Sequence, residues 1–241
     1  MRIKCKTDKG MVRESNQDYI LTLKGKNYVL LITADGMGGH KAGEIASKIA
    51  SISIRDFIFK NFSLYIDTEE LIRDAIISSN KIVFNKSTED NSLNGMGTTI
   101  TCCLIKGDKL YLGHVGDSRA YIVNEKGITK ITQDHSFVQE LIDNGSITEN
   151  EALRHPQRNL ITRAIGTDKH VVVDTKIENI MENDLIILCT DGLTTYVSSE
   201  EIFEIVKEKK EDAVFELIDL ANSRGGSDNI SVIIARKEDE K

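Results

Sequence analysis

Four aspartates, far apart in the chain, stand next to or near glycines at the edges of strand-like runs. They occur in Ala34-Asp35-Gly36-Met37-Gly38-Gly39, Val115-Gly116-Asp117-Ser118, Cys189-Thr190-Asp191-Gly192 and Gly225-Gly226-Ser227-Asp228. Any one Asp-Gly reads as a turn, since both residues favour turns. Four in matching contexts point elsewhere. A strand fixes where its terminal carboxylate points, and a neighbouring glycine lets the backbone approach a ligand closely. If the four carboxylates converge, like-charge repulsion raises their pKa values and weakens the fold unless cations sit between them. A cage of carboxylates, a backbone carbonyl and water suits Mg2+ or Mn2+, and no Cys or His spacing points to zinc.

Hydrophobic periodicity supplies the elements that must position these residues. Strands are expected at 2–7, 19–23 and 28–34, the last ending at Asp35. A helix follows over 42–60, and Asp67-Thr68 caps a second one with Thr68, Leu71, Ile72, Ala75, Ile76, Ile82 and Val83 on its apolar face. Residues 98–131 read as a meander of four strands broken at Gly107, Gly116 and Gly127. From about 134 to 167 the strand rhythm stops, with helical pieces at 137–142 and 149–154 and a break at Pro156. The portion at about 136–160 is expected to form a flap over the site, because long irregular insertions in compact domains are often functional. Strands resume at 171–175 and 184–190, then helices at 198–207 and 211–222 and a last strand at 229–235. This order is too irregular for a doubly wound parallel sheet and favours antiparallel sheets with helices packed outside, in one domain over 1–241.

The net charge is −7 and the basic residues are scattered, which argues against a nucleic-acid surface. An acidic chain that holds an anion needs local positive charge, which bound metals and a placed arginine can provide. The longest apolar runs are strand-sized, short of the roughly 18 to 20 residues that cross a bilayer. The first residues lack the apolar stretch of a signal peptide, so no direct membrane insertion and a cytoplasmic location are expected. Cys5, Cys102, Cys103 and Cys189 lie in strand-like runs. Cys102 and Cys103 should point to opposite faces of a strand as buried, reduced side chains.

One ordered set of motifs runs through the chain. It comprises Gly10-Met11-Val12-Arg13, Asn16-Gln17-Asp18, Ala34-Asp35-Gly36-Met37-Gly38-Gly39, Gly97-Thr98-Thr99, Gly113-His114-Val115-Gly116-Asp117-Ser118-Arg119, Thr132-Gln133-Asp134-His135-Ser136, Thr162-Arg163-Ala164-Ile165-Gly166, Thr190-Asp191-Gly192-Leu193 and Ser227-Asp228-Asn229. Over essentially the whole chain this set resembles the metal-dependent protein phosphatases, the type 2C or PPM family. It is most similar to the compact bacterial serine/threonine phosphatases that oppose Hanks-type kinases.

The resemblance implies an α+β fold, a four-layer αββα sandwich of two antiparallel β-sheets flanked by helix pairs. It implies hydrolysis of phosphoserine and phosphothreonine by a metal-bridging water or hydroxide, with two Mn2+ or Mg2+ per site and a weaker third. Asp35 would bridge two metals, the Gly36 carbonyl would bind one, and Asp191 and Asp228 would complete the pair. Asp117, together with Asp191, matches the third site, and Asp18 would hold a metal-bound water in an outer shell. Arg13 matches the phosphate-binding arginine, whose planar guanidinium grips two oxygens. The implied partners are phosphorylated proteins, among them a Hanks-type kinase and its substrates. A monomer is the default.

One position departs from the eukaryotic branch, where a histidine after the first Asp-Gly has been proposed as general acid. Here it is Met37, and a thioether has no proton to donate. His40 could contact substrate or be structural, and a metal-bound water could serve as acid instead. His135 reads as structural. Two other functions share parts of the pattern. A catalytically weak phosphoprotein-binding regulator of the same fold would need an incomplete cage, whereas every expected carboxylate is present. A two-metal nuclease would need a basic groove.

Overall fold

The computed structural model describes residues 1–39 and 42–238. Two five-stranded antiparallel sheets lie face to face. One is ordered β1(Arg2–Asp8), β12(Ile230–Arg236), β11(Leu185–Cys189), β8(Arg119–Asn124), β9(Gly127–Lys130). The other is ordered β10(Asp174–Asn179), β7(Lys109–Val115), β6(Ile100–Lys106), β3(Val29–Ala34), β2(Tyr19–Lys24). A two-stranded ribbon, β4(Gly36–Met37) with β5(Gly97–Thr98), extends beyond the end of β3.

Strand alternation divides the core into three layers. Leu30, Ile32, Cys102 and Leu104 pack toward the long helices α1(Ala42–Asn61) and α2(Thr68–Glu89). Leu31, Cys103, Ile122, Ile186, Leu188 and Ile233 fill the space between the sheets. Tyr121, Ile187, Val232 and Ile234 turn outward under α6(Ser199–Lys209) and α7(Ala213–Ser223). The result is helix pair, sheet, sheet, helix pair. Cys102 and Cys103 take opposite faces, as the period-two pattern requires. Helix starts follow capping chemistry: Asp67 accepts from the backbone N–H of Glu69, and Ser198 with Glu201 closes a capping box.

Four expectations need correction. Ile82, expected on the apolar face of α2, is exposed, because successive helix residues lie about 100° apart and the neighbouring Val83 takes the buried side. The four strands of 98–131 are not one meander, because β6 and β7 belong to one sheet and β8 and β9 to the other. The crossing occurs at Gly116-Asp117-Ser118, where Gly116 has φ +116°, a value that local sequence pattern does not encode. The strand expected at 171–175 lies at Asp174–Asn179, where the register places Asp174 opposite His114. Its alternating polar residues weakened the signal. Cys5 is exposed on the sheet-edge strand β1, in contrast to the other three buried thiols. Within the flap segment, α3(Phe137–Asp143) and α4(Glu149–Ala152) are short, and its ends are joined by Phe137 N–H to Leu160 O at 2.8 Å and Thr162 N–H to His135 O at 2.9 Å.

Candidate active site

The strand ends deliver their side chains to one end of the sandwich. Asp35 follows β3, Asp18 precedes β2, Asp117 lies in the β7–β8 crossing, Asp191 follows β11 as the first residue of the short helix α5(Asp191–Thr194), and Asp228 lies two residues before β12. A cavity of about 240 Å3 opens there. Arg13, Asp35, Gly36, Asp117, Asp191 and Asp228 all line it. Six of the eight residues singled out from sequence therefore meet around one space. Asp18 is buried beside it, and His40 lies outside the described residues.

Backbone ties fix these positions. Asp35 N–H donates to Thr99 Oγ1 at 2.9 Å, while its carbonyl accepts from Thr98 Oγ1 at 2.8 Å and Thr99 N at 2.9 Å. Gly36 N–H donates to Gln17 O at 3.2 Å, and a Cβ on Gly36 would come within 2.2 Å of Gly43 O. Only glycine fits so close to α1. The loop carrying Arg13 is stitched to the start of β12 by Asn229. That side chain donates to Lys9 O and Ser15 O, both at 2.9 Å, and accepts from Gln17 N–H at 2.8 Å. Arg13 Nη2 lies 2.8 Å from Asp228 Oδ2.

The carboxylates are electrostatically crowded. Burial raises Asp18 to about 7 against hydrogen bonds from Ser231 and Thr190, with smaller upward pushes from Asp191 and Asp228. Asp35 is raised well above the ordinary range by burial and then by Asp18, Asp191, Asp117 and Asp228. Asp117 is raised by burial, then by Asp191 and Asp134. Asp191 is raised by burial and Asp228, against a hydrogen bond with Asp35. Thr190 Oγ1 donates to Asp18 Oδ2 at 2.9 Å, yet the buried oxygens Asp18 Oδ1 and Asp191 Oδ1 have no hydrogen-bond partner. Orphaned carboxylate oxygens and mutual repulsion are what a cation site requires.

Among the described residues, no three Asp, Glu, His or Cys side chains form a metal cage by themselves. The donor set fits a hard divalent cation only when the Gly36 carbonyl and water join the carboxylates.

Behind the Asp117 crossing sits a polar support. His135 Nδ1 accepts from Gly116 N–H at 3.0 Å, so the neutral ring carries its hydrogen on Nε2, 3.2 Å from Asp174 Oδ2. Burial lowers the His135 pKa, and the contact with Asp174 is a hydrogen bond donated by the neutral imidazole to the carboxylate. Arg163 Nη1 reaches the same carboxylate at 2.6 Å. Arg119 grips buried Asp134 through Nη2 at 2.6 Å and Nε at 2.9 Å.

Residues 11–227 match the family model described as protein phosphatase 2C. This chain belongs to the protein phosphatase 2C family. The serine/threonine phosphatase stp of Listeria monocytogenes serovar 1/2a is 35% identical over 244 residues, covering 99% of this chain and 96% of its own. Among solved structures, serine/threonine phosphatase Stp1 from Staphylococcus aureus gives a TM-score of 0.89 at 38% identity, with 98% of this chain and 95% of that one covered. The catalytic domain of serine threonine protein phosphatase PstP, solved in complex with 2 manganese ions, gives 0.87 at 35% identity, with 99% and 98% covered. The α+β sandwich read from the motifs is the fold of these 2C phosphatases.

Several residues of this 2C site had no role assigned from sequence. Thr190 and Thr99 hold Asp18 and the Asp35 backbone, Asn229 braces the Arg13 loop, and Asn159 and Ile161 bring the flap end to the cavity wall. Thr99, Thr190 and Asn229 stand inside the quoted motifs next to charged or glycine positions. Their signal was present, but a neutral side chain reveals its partner only in three dimensions.

Proposed function

We propose that this chain hydrolyses phosphoserine and phosphothreonine esters on proteins, with a Hanks-type kinase and its substrates among its targets. One observation carries the reading: Arg13 and the carboxylates Asp35, Asp117, Asp191 and Asp228 line a single cavity in a 2C-family chain. Two Mn2+ or Mg2+ ions, held by Asp35, the Gly36 carbonyl, Asp191 and Asp228, would supply an activated water for in-line attack on phosphorus. Asp117 with Asp191 would take a weaker third ion.

Arg13 binds two phosphate oxygens through its parallel N–H groups and stabilises the charge that grows on them. Its ion pair with Asp228 holds the fork at the cavity wall. Asp18, with Oδ2 taken by Thr190, keeps Oδ1 free to orient a water deeper in the site. Met37 lines the cavity but has no proton to give, so the leaving alcohol takes its proton from another donor.

The deciding experiment is hydrolysis of a phosphothreonine peptide by the purified chain with chelator, with Mg2+ and with Mn2+, alongside Asp35→Asn. Activity restored by metal and lost in the variant is the expected result. A folded chain inactive with every metal would turn the reading to a phosphoprotein-binding regulator of the same fold.

A further inference from the structure

A second cavity, of about 310 Å3, adjoins the carboxylate-lined one. Arg13, Gln17, Gly38 and Asn229 border both, so these residues form the partition between them. Among the described residues, the walls that the second cavity does not share are Glu14 and Ser15. Glu14 is exposed and, among the described residues, has no hydrogen-bond or ion-pair partner. The adjacent Arg13 is paired with Asp228. The two cavities thus differ in what they lack. Arg13 borders both, but its charge is matched by Asp228 on the inner side, whereas Glu14 on the outer side has no partner among the described residues.

The partition is a braced one. Asn229 fastens the loop at Lys9, Ser15 and Gln17, and Met11 N–H donates to Gly226 O at 2.8 Å. Gly10, at φ +78°, lies so close to the strand start that a Cβ there would meet Asp228 O at 2.1 Å. Glu14 therefore projects from a loop whose backbone is fixed on both sides, at a constant offset from Arg13. A phosphoresidue held by Arg13 brings its neighbours in the substrate past this wall.

We infer that the Glu14 cavity is a subsite for a basic residue flanking the phosphorylated serine or threonine, making Glu14 a specificity determinant for cationic phosphopeptides. The inference rests on the phosphatase reading above. It names the substrate class that reading left open. The supporting chemistry is charge complementarity: a Lys or Arg side chain spans a cavity of this size with its stem and ends in the donors an unpaired carboxylate needs. The net charge of −7 adds a general attraction for cationic substrates, but only Glu14 ties the preference to one position.

The test uses phosphothreonine peptides identical except for Lys, Gln or Glu at each flanking position in turn. Each kcat/KM is divided by that of p-nitrophenyl phosphate for the same preparation. Wild type should favour the Lys peptide over the Glu peptide by about three- to fivefold at one flanking position, the size an exposed ion pair supports. The difference should reside in KM and shrink in 0.5 M salt, as expected from roughly a 4 Å Debye length. Glu14→Gln should flatten the preference and Glu14→Lys should reverse it. Equal preferences in wild type and Glu14→Gln would overturn the inference.

Binding of the same peptides with a non-hydrolysable phosphonate in place of the phosphate separates the two readings. A chain that hydrolyses nothing yet binds the Lys-flanked phosphonate in a Glu14-dependent way refutes catalysis and keeps the subsite. One that hydrolyses all peptides without regard to flank or to Glu14 keeps catalysis and refutes the subsite.

Discussion

Arg13 Nη2 stands 2.8 Å from Asp228 Oδ2, joining a residue expected to bind phosphate to one expected to bind metal. Each is therefore part of the other's environment. Arg13→Ala should lower kcat/KM for a phosphothreonine peptide by about 100-fold, the scale of losing one charged donor to the transition state. Arg13→Lys should recover only part, since an ammonium cannot make the two-pronged contact. Combining Arg13→Ala with Asp228→Asn should give less than the sum of the separate losses, because the two share one contact. Additive losses would show that the pair does not act together.

The crowding of Asp35 and Asp191 predicts how metal changes stability. Mn2+ at about 100 times its Kd should stabilise the native chain by about 2.7 kcal/mol, a rise of roughly 5 to 10 °C in Tm for a chain of this size. Asp35→Asn and Asp191→Asn should abolish the rise. In chelator, each variant should melt at or above wild type, since both carboxyls are held above their ordinary pKa and their charge weakens the fold near neutral pH. Differential scanning calorimetry with and without Mn2+ checks this, and a variant that keeps the full shift would remove its residue from the metal site.

His114 gives a pH prediction away from the cavity. Its Nε2 lies 3.1 Å from Gln133 O, which can only accept, so the neutral ring carries its hydrogen there and Nδ1 faces the Thr101 hydroxyl at 3.0 Å. Burial, with a further push from His135, lowers its pKa to about 4. The unfolded chain binds this proton from about pH 6.5 downward and the folded chain does not. The contribution is whole above pH 6.5 and is lost as pH falls toward 4, on the order of 3 kcal/mol in all. Urea unfolding at pH 7.5 and pH 5 should show His114→Gln losing less stability on acidification than wild type.

The flap segment supports a prediction about selectivity. Its two ends are hydrogen-bonded together, and Asn159 and Ile161 at the C-terminal end line the cavity, while α3 and α4 lie between. Exchanging 137–153 for another sequence of equal length should change the ranking of phosphoprotein substrates several-fold and leave p-nitrophenyl phosphate hydrolysis within about twofold. Replacing Asn159 should affect both. Equal losses on large and small substrates from the 137–153 exchange would refute this division.

Much of this protein is legible in the order of its residues. Continuous apolar runs marked β3, β6 and β11, helical spacing marked α1 and α2, and the Ser198 and Glu201 pair marked the start of α6, because each signal is local. The aspartates were legible for a related reason: each follows or precedes a buried strand whose direction fixes it.

The rest depended on contacts between distant segments. The sequence alone could not assign β7 and β8 to different sheets, since strand character does not specify a partner. It could not place the polar β10 strand, whose register comes from pairing with β7. Nor could it show that Asn229 braces the Arg13 loop from more than 200 positions away, with Ser15 and Asn229 separated by 214 residues. Residue type and spacing determined which groups could do the chemistry. Tertiary packing decided which of them share a wall, which are paired, and that Glu14 stands without a partner among the described residues, because hydrogen bonds and charges act over a few ångströms of space whatever the separation along the chain.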